Sequence, residues 1–487
     1  MRVAIGYPPL ESDKGIPLLS QNRQFQWFPN LLTAYSIYPV VPAWAATLLS
    51  QNGHKVYWLD GIAQKLTYQR WQDELIKINP DLLMIETKTP VVKQHWKIID
   101  NLKSQILNLK CVLVGDHVTA LPDESMEKSG VDYILTGGDY DFLLLNLINH
   151  LERKEELEPG IWYKEDGRIR NSGHFRLDHD LNKSPVIDRD LTNWQDYAYK
   201  NSVFFRTPGT YTMFGRDCWW GKCSFCSWTT LYPGNCYRVR DVSLALSEVK
   251  LLIEKYKIRE IMDDSGTFPV GKWLRDFCQG MIREGLNKKI RINCNMRFNN
   301  GLSQDDYNLM GKAGFRFVLY GLESASQKTL DRINKNLKVE QIEENLCLAK
   351  KAGLSPHVTV MVGYPWEDKE DIEATIDFVR SLFKRGLVDT MQATIVIPYP
   401  GTPLFDQCQK NHWLKTTDWD RYDMRETIMR TKVPEKSIIT ATARLFTVSI
   451  WNPQFIVRTL KMLLSFDGLK YFGLQVLKYF AKLLEFR

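Results

Sequence analysis

Over the first 150 residues, short apolar runs alternate with amphipathic stretches. Residues 2–6, 56–59, 81–86, 111–114 and 132–135 read as strands, and 42–51, 92–105, 124–129 and 142–151 as helices with their apolar positions three and four apart. Five strands interleaved with helices predict a doubly wound parallel α/β sheet over residues 1–151. Ligands of such sheets bind beyond the carboxyl ends of the strands. The loops expected there are Tyr7-Pro8-Pro9, Thr87-Lys88-Thr89, Gly115-Asp116-His117 and Thr136-Gly137-Gly138, two of them with glycine where a backbone approaches closely.

Residues 152–205 form a charged connector with one predicted hairpin, turning at Glu165-Asp166-Gly167. His174 and His179 in this stretch have no clustered ligand type and read as solvated surface positions. From 206 to 412 the pattern resumes as six strand–helix units, with strands at 209–214, 258–262, 290–294, 315–320, 357–362 and 391–397. That predicts a partial (β/α)6 barrel, in which Ser303 and Asp306 have the spacing of a capping box. Residues 413–487 read as a helical region, with Leu469, Phe472, Val476, Tyr479, Phe480 and Leu483 on one side of a stretch that also carries lysines. No segment gives eighteen uninterrupted apolar residues, so a membrane span is not expected. A helix on a membrane surface, or capping an apolar substrate cavity, is one reading of this region; packing on the barrel is the other.

Within the barrel's first loop, Cys218, Cys223 and Cys226 fall inside nine residues. Cysteine at this density has no packing rationale, and a disulfide would leave one thiol over. Three thiolates suit a [4Fe–4S] cluster with one iron left for a ligand. A structural zinc with Cys236 as the fourth thiolate is the alternative from spacing alone. Trp219, Trp220, Phe225 and Trp228 flank the cysteines, either shielding a cluster from water or simply packing. Asp263 and Asp264 end the second barrel strand, where barrel sites are built, and helix capping at the rim explains them equally well.

Composition adds limits. A net charge of +7 from 64 basic and 57 acidic residues is small for 487 residues and gives no nucleic-acid footprint. No apolar run of signal-peptide length opens the chain, and thiols that must stay reduced fit a cytoplasmic setting.

The cysteine loop resembles the signature of the radical S-adenosylmethionine (SAM) enzymes, Cys-x3-Cys-x2-Cys, with one extra residue in the first gap. Gly115 to Pro122 and Val131 to Gly138 are similar to the cobalamin-binding domain that precedes the barrel in cobalamin-dependent members, a group that includes relatives of the anaerobic magnesium-protoporphyrin cyclase. Where that group usually shows Gly-Glu-x-Glu, this chain has Gly138-Asp139-Tyr140-Asp141. The resemblance implies three cofactors: a [4Fe–4S] cluster on Cys218, Cys223 and Cys226, SAM, and cobalamin. Around SAM it implies Glu323, Ser324, Gly363 and Pro398, with Asp263 as a further candidate. Around cobalamin it implies Pro8, Thr87, Gly115, Asp116, His117, Gly137 and Gly138, with no histidine in the usual cobalt-ligating context. The implied activity is reductive SAM cleavage to a 5′-deoxyadenosyl radical and methylation of an unactivated carbon in a small molecule, for which the C-terminal helical region gives the one hint of apolar character. A flavodoxin or ferredoxin would be the electron donor. Other radical outcomes, an RNA methylthiotransferase and a non-catalytic zinc-stabilised binding protein stay open at this point.

Overall fold

The computed structural model describes the chain except residues 20–24, 32, 202, 235, 449–459, 461–462 and 486–487, and describes only the backbone of 478–485. The N-terminal sheet consists of β1 (Arg2–Tyr7), β2 (Lys55–Asp60), β3 (Leu82–Glu86), β4 (Lys110–Val114), β5 (Tyr133–Leu135), β6 (Ile161–Glu165) and β7 (Arg168–Asn171), in the order β2-β1-β3-β4-β5-β6-β7. The first five strands are parallel. Their order 2-1-3-4-5 places the topological switch point between β1 and β3.

The expected hairpin forms, turning through Asp166 (φ 49°) and Gly167 (φ 73°), positive φ values that suit a tight hairpin turn. It does not lie in a separate connector: β6 pairs antiparallel with β5 and extends the sheet to residue 171. A helix at Tyr68–Ile78 was not legible from apolar spacing, because only Trp71 and Leu75 among its apolar residues are buried. Thr67 caps it by accepting from Arg70 N, and Asn79 ends it in the left-handed conformation.

The second sheet is a partial barrel of six parallel strands in sequence order: β8 (Gly209–Thr212), β9 (Glu260–Asp263), β10 (Arg291–Met296), β11 (Phe315–Glu323), β12 (Ser355–Val362) and β13 (Thr390–Ile395). The capping box forms as expected, with Ser303 and Asp306 each accepting the other's backbone N–H. The helix Glu435–Thr447 packs on β12 and β13. The last helix, Phe466–Glu485, lies near the barrel's amino-terminal rim, where Asp467 pairs with Arg259 at 2.7 Å and Lys470 donates to Thr207 Oγ1. Of the side chains expected on one side of it, those of Tyr479, Phe480 and Leu483 lie outside the described residues. No helix among the described residues is long and apolar enough to cross a membrane.

Candidate active site

A cavity of about 400 Å³ opens at the carboxyl ends of the barrel strands, and all three loop cysteines, Cys218, Cys223 and Cys226, line it. The loop is fixed from below by Asp263, whose carboxylate accepts from Phe214 N, Thr212 Oγ1 and Ser265 N. Burial pushes the Asp263 carboxyl up to about 7. Asp263 is thus spent on holding the strand ends and does not line the cavity, whereas Asp264 does. Laterally, Ser224 N donates to Ile333 O, Trp220 Nε1 to Asn334 O and Asn334 Nδ2 to Lys222 O, so the segment around Asn334 clasps the cysteine loop.

Two cations reach the thiols' side of the cavity. The Arg297 guanidinium, at the end of β10, donates to Cys223 Sγ at 3.7 Å and lies over the rings of Trp219 and Trp220, 5.1 Å from each centroid. Lys335 Nζ sits 2.7 Å from Glu323 Oε1. Arg297 and Lys335 went unread in the sequence because their relevance comes from folding: one strand end and one loop brought to a cysteine more than 70 residues away.

The cysteine loop suits a cluster. Its three thiols are unbridged and line one cavity, and within the loop Trp219 Nε1 and Ser224 Oγ are buried donors without a partner among the described residues, which sulfur acceptors of a cluster would satisfy. Cys236, the fourth thiolate of the alternative zinc site, does not line the cavity that the other three share.

The residues expected around SAM divide. Glu323 is on the wall, with φ 64° and both carboxylate oxygens engaged, one by Lys335 and the other by Thr359 Oγ1 at 3.5 Å. Ser324 is turned into the protein, accepting from Ser326 N and lying 3.3 Å from Thr375 Oγ1. Gly363 takes φ 97° and donates to Glu367 Oε2, with Ile438 where its side chain would be. Pro398 lies between two wall residues, Ile397 and Tyr399.

The N-terminal loops meet protein rather than open space. A Cβ on Gly138 would sit 2.0 Å from the Tyr232 ring, one on Gly137 2.4 Å from Phe175, and one on Gly115 2.3 Å from Thr87 O. The close approaches these glycines permit are therefore to the chain itself. His117 is fully buried, bonded through Nδ1 to Thr89 Oγ1 and set edge-on to Trp419. Asp116 accepts from His117 N, and Thr87 bonds to His95. Tyr232 lines the cavity, but Pro8, Thr87, Gly115, Asp116, His117, Gly137 and Gly138 do not; its N-terminal wall is Gln26, Tyr35 and Ile37.

Asp139 and Asp141 also face the barrel. The buried Arg216 guanidinium, two residues before Cys218, binds Asp141 at 2.6 and 2.9 Å and Asp139 at 3.2 Å, with Trp44 beneath it. Arg238 adds bonds of 2.6 and 2.8 Å to Asp139. Burial alone would raise the Asp139 carboxyl, but His179 and these arginines hold it well below the usual carboxylate range. His179 is no solvated surface residue. It stacks on Phe142 at 4.4 Å and bridges Asp139 and Glu158, which raise it to about 9 against the opposing effect of burial.

Comparison with known proteins agrees with this architecture. Residues 212–379 match the radical SAM superfamily. The chain is 28% identical over 397 residues to an uncharacterized methyltransferase of Pyrococcus horikoshii, covering 81% of this chain and 83% of that one. It is 24% identical over 407 residues to the anaerobic magnesium-protoporphyrin IX monomethyl ester cyclase of Cereibacter sphaeroides, covering 80% of this chain and 64% of the cyclase. Among solved structures, it overlays the cobalamin-dependent SAM radical enzyme OxsB with a TM-score of 0.70 at 15% identity (97% of this chain, 72% of that one). The radical SAM methyltransferase TsrM of Kitasatospora setae gives 0.68 at 14% identity, over 99% of both chains. Residues 212–379 thus form a radical SAM domain. The fold of the whole chain, a Rossmann-like domain followed by a partial barrel, is that of OxsB and TsrM.

Proposed function

We propose that this protein is a cobalamin-dependent radical SAM methyltransferase that alkylates an unactivated carbon of a small, apolar molecule. The observation that carries the proposal is that Cys218, Cys223 and Cys226 share one cavity wall with Glu323, Arg297 and Lys335 at the mouth of the barrel. Bound there, the cluster, SAM and cobalamin would supply reductive cleavage of SAM and carriage of a methyl group.

The chain's own residues do the holding. Cys218, Cys223 and Cys226 ligate iron, and Arg297 stabilises negative charge on Cys223 by donating to its sulfur. Glu323 receives the ammonium or ribose hydroxyls of SAM while Lys335 fixes its carboxylate; Gly363 and Pro398 shape the strand-end turns behind it. Gln26, Tyr35 and Ile37 form the N-terminal side of a corrin pocket facing Trp228 and Thr229. Pro8, Thr87, Gly115, Asp116, His117, Gly137 and Gly138 shape the loops behind it.

A flavodoxin or ferredoxin in the cytoplasm would deliver electrons. The apolar, exposed Leu464 (88%) and Phe466 (82%) at the start of the last helix support contact with a membrane surface. The test is anaerobic incubation with SAM and a one-electron reductant. Formation of 5′-deoxyadenosine that is lost in Cys223→Ala supports the reading, and equal formation in both proteins rejects it.

A further inference from the structure

Along β11 the cavity wall is made by Phe317, Leu319, Gly321 and Glu323, every second residue from near the start of the strand to its end. Six residue steps at about 3.3 Å each span about 20 Å. On β12 the same alternation gives His357, Thr359 and Met361. The intervening residues, Val318, Tyr320, Leu322, Val358, Val360 and Val362, are fully buried against the outer helices, while Leu319, Gly321, His357 and Met361 keep part of their surface open. The lumen of a closed (β/α)8 barrel is filled by such inward side chains. Here they border space along the length of the strands. At the amino-terminal rim the cavity is bounded by Tyr471 and Gln475 of the last helix and by Phe446.

The two ends differ chemically. The cysteine end carries Asp217, Lys222, Asp264, Arg297, Glu323 and Lys335. The middle is apolar and adaptable, with Met262, Met361 and Leu319. At the far end the polar wall groups are His357, Thr390, Gln392 and Gln475; His357 Nδ1 bonds to Thr390 Oγ1 at 2.8 Å. Burial lowers His357 to about 4, so it is uncharged at neutral pH.

From this we infer that the barrel lumen is a lengthwise channel for an uncharged, elongated, mostly apolar molecule, with one end at the cysteine loop and a terminal hydroxyl or carbonyl at His357 and Gln475. The inference deepens the proposed function by giving the substrate's chemical class, and it rests on that reading for the chemistry at the cysteine end. A neutral imidazole and a carboxamide pair well with hydroxyl or carbonyl groups, and Arg316, beside Phe317 and Tyr471 at this end, is already paired with Glu260 at 2.7 Å. Apolar surface supplies most of the affinity.

The probe is all-trans-retinol, an uncharged, elongated polyene alcohol, titrated by fluorescence into the full chain reconstituted anaerobically with iron and sulfide. Saturable one-to-one binding is expected, weakened at least tenfold by Leu319→Trp, which fills mid-channel, and by Gln475→Trp, which fills the far end. Retinoic acid should bind at least tenfold more weakly than retinol. Because Gln475 lies on the covering helix, its variant decides the matter should Leu319→Trp fail to fold. Retinol binding that is absent, or indifferent to Gln475→Trp, overturns the channel. Iron uptake is measured on the same samples: its loss would count against the radical SAM reading, and retinol binding is scored independently of it.

Discussion

Arg216 and Asp141, 75 residues apart, meet at 2.6 Å with both side chains almost wholly excluded from solvent. The carboxylate belongs to the first turn of the helix Tyr140–Arg153, which follows the last parallel strand of the N-terminal sheet, and the guanidinium to the segment that enters the cysteine loop. The domains are therefore joined by a buried charge pair at the point where the cysteine loop begins. Losing one partner strands the other without water, and such losses cost about 3–5 kcal/mol.

Arg216→Met should accordingly lower unfolding stability by about that amount, seen as a reduced denaturant midpoint. Asp141→Asn should cost less, because the amide still accepts a hydrogen bond from the guanidinium. Equal stability of Arg216→Met and the parent would contradict the joint described here.

The His179–Asp139 contact makes a stability prediction with a definite sign. His179 is raised in the folded state to about 9 from 6.5, so its contribution is complete below pH 6.5 and fades as pH rises from there towards 9. Asp139 is depressed, so its share is complete above its ordinary value of 3.8 and fades as pH falls below that. Between about pH 4 and 6.5 both are present in full. His179→Gln should remove the alkaline loss, flattening stability between pH 6.5 and 9 by on the order of 1 kcal/mol after solvent screening. Chemical denaturation of both proteins across that range measures it.

At the cavity, Glu323→Gln should weaken SAM binding about tenfold or more, as expected when a charge-assisted hydrogen bond becomes neutral. Iron content should not change, since Glu323 accepts from Lys335 and Thr359 and does not reach the thiols in the structure. Equilibrium dialysis with SAM, alongside iron analysis, separates the two effects.

What the sequence disclosed was what depends on near neighbours. The Ser303–Asp306 capping box and the Asp166-Gly167 turn each specify their local geometry, and each formed; the three cysteines inside nine residues line one cavity. The order of strands was legible from their apolar runs, but some ends shifted: the fourth barrel strand runs to Glu323 rather than residue 320, and the sixth stops at Ile395 rather than 397. Contacts across the chain were not legible. Asp139 and Asp141 could be read only as a family-like loop pattern, since their partners Arg216 and Arg238 lie 75 to 99 residues away. His179 looked solvated because Asp139, Glu158 and Phe142 come to it only through folding. Gly137 and Gly138 signalled close approach correctly, but glycine cannot say whether a ligand or a side chain such as Phe175 or Tyr232 makes it.

The most direct measurement is the metal and corrinoid content and absorption spectrum of anaerobically purified protein beside its Cys223→Ala variant. About four irons per chain with broad thiolate-to-iron absorption, together with bound corrinoid, and loss of the iron in the variant are the predicted result. Zinc in place of iron, unchanged by reconstitution with iron and sulfide, would contradict the account at its centre; iron without corrinoid would leave the radical SAM enzyme and remove its methyl carrier.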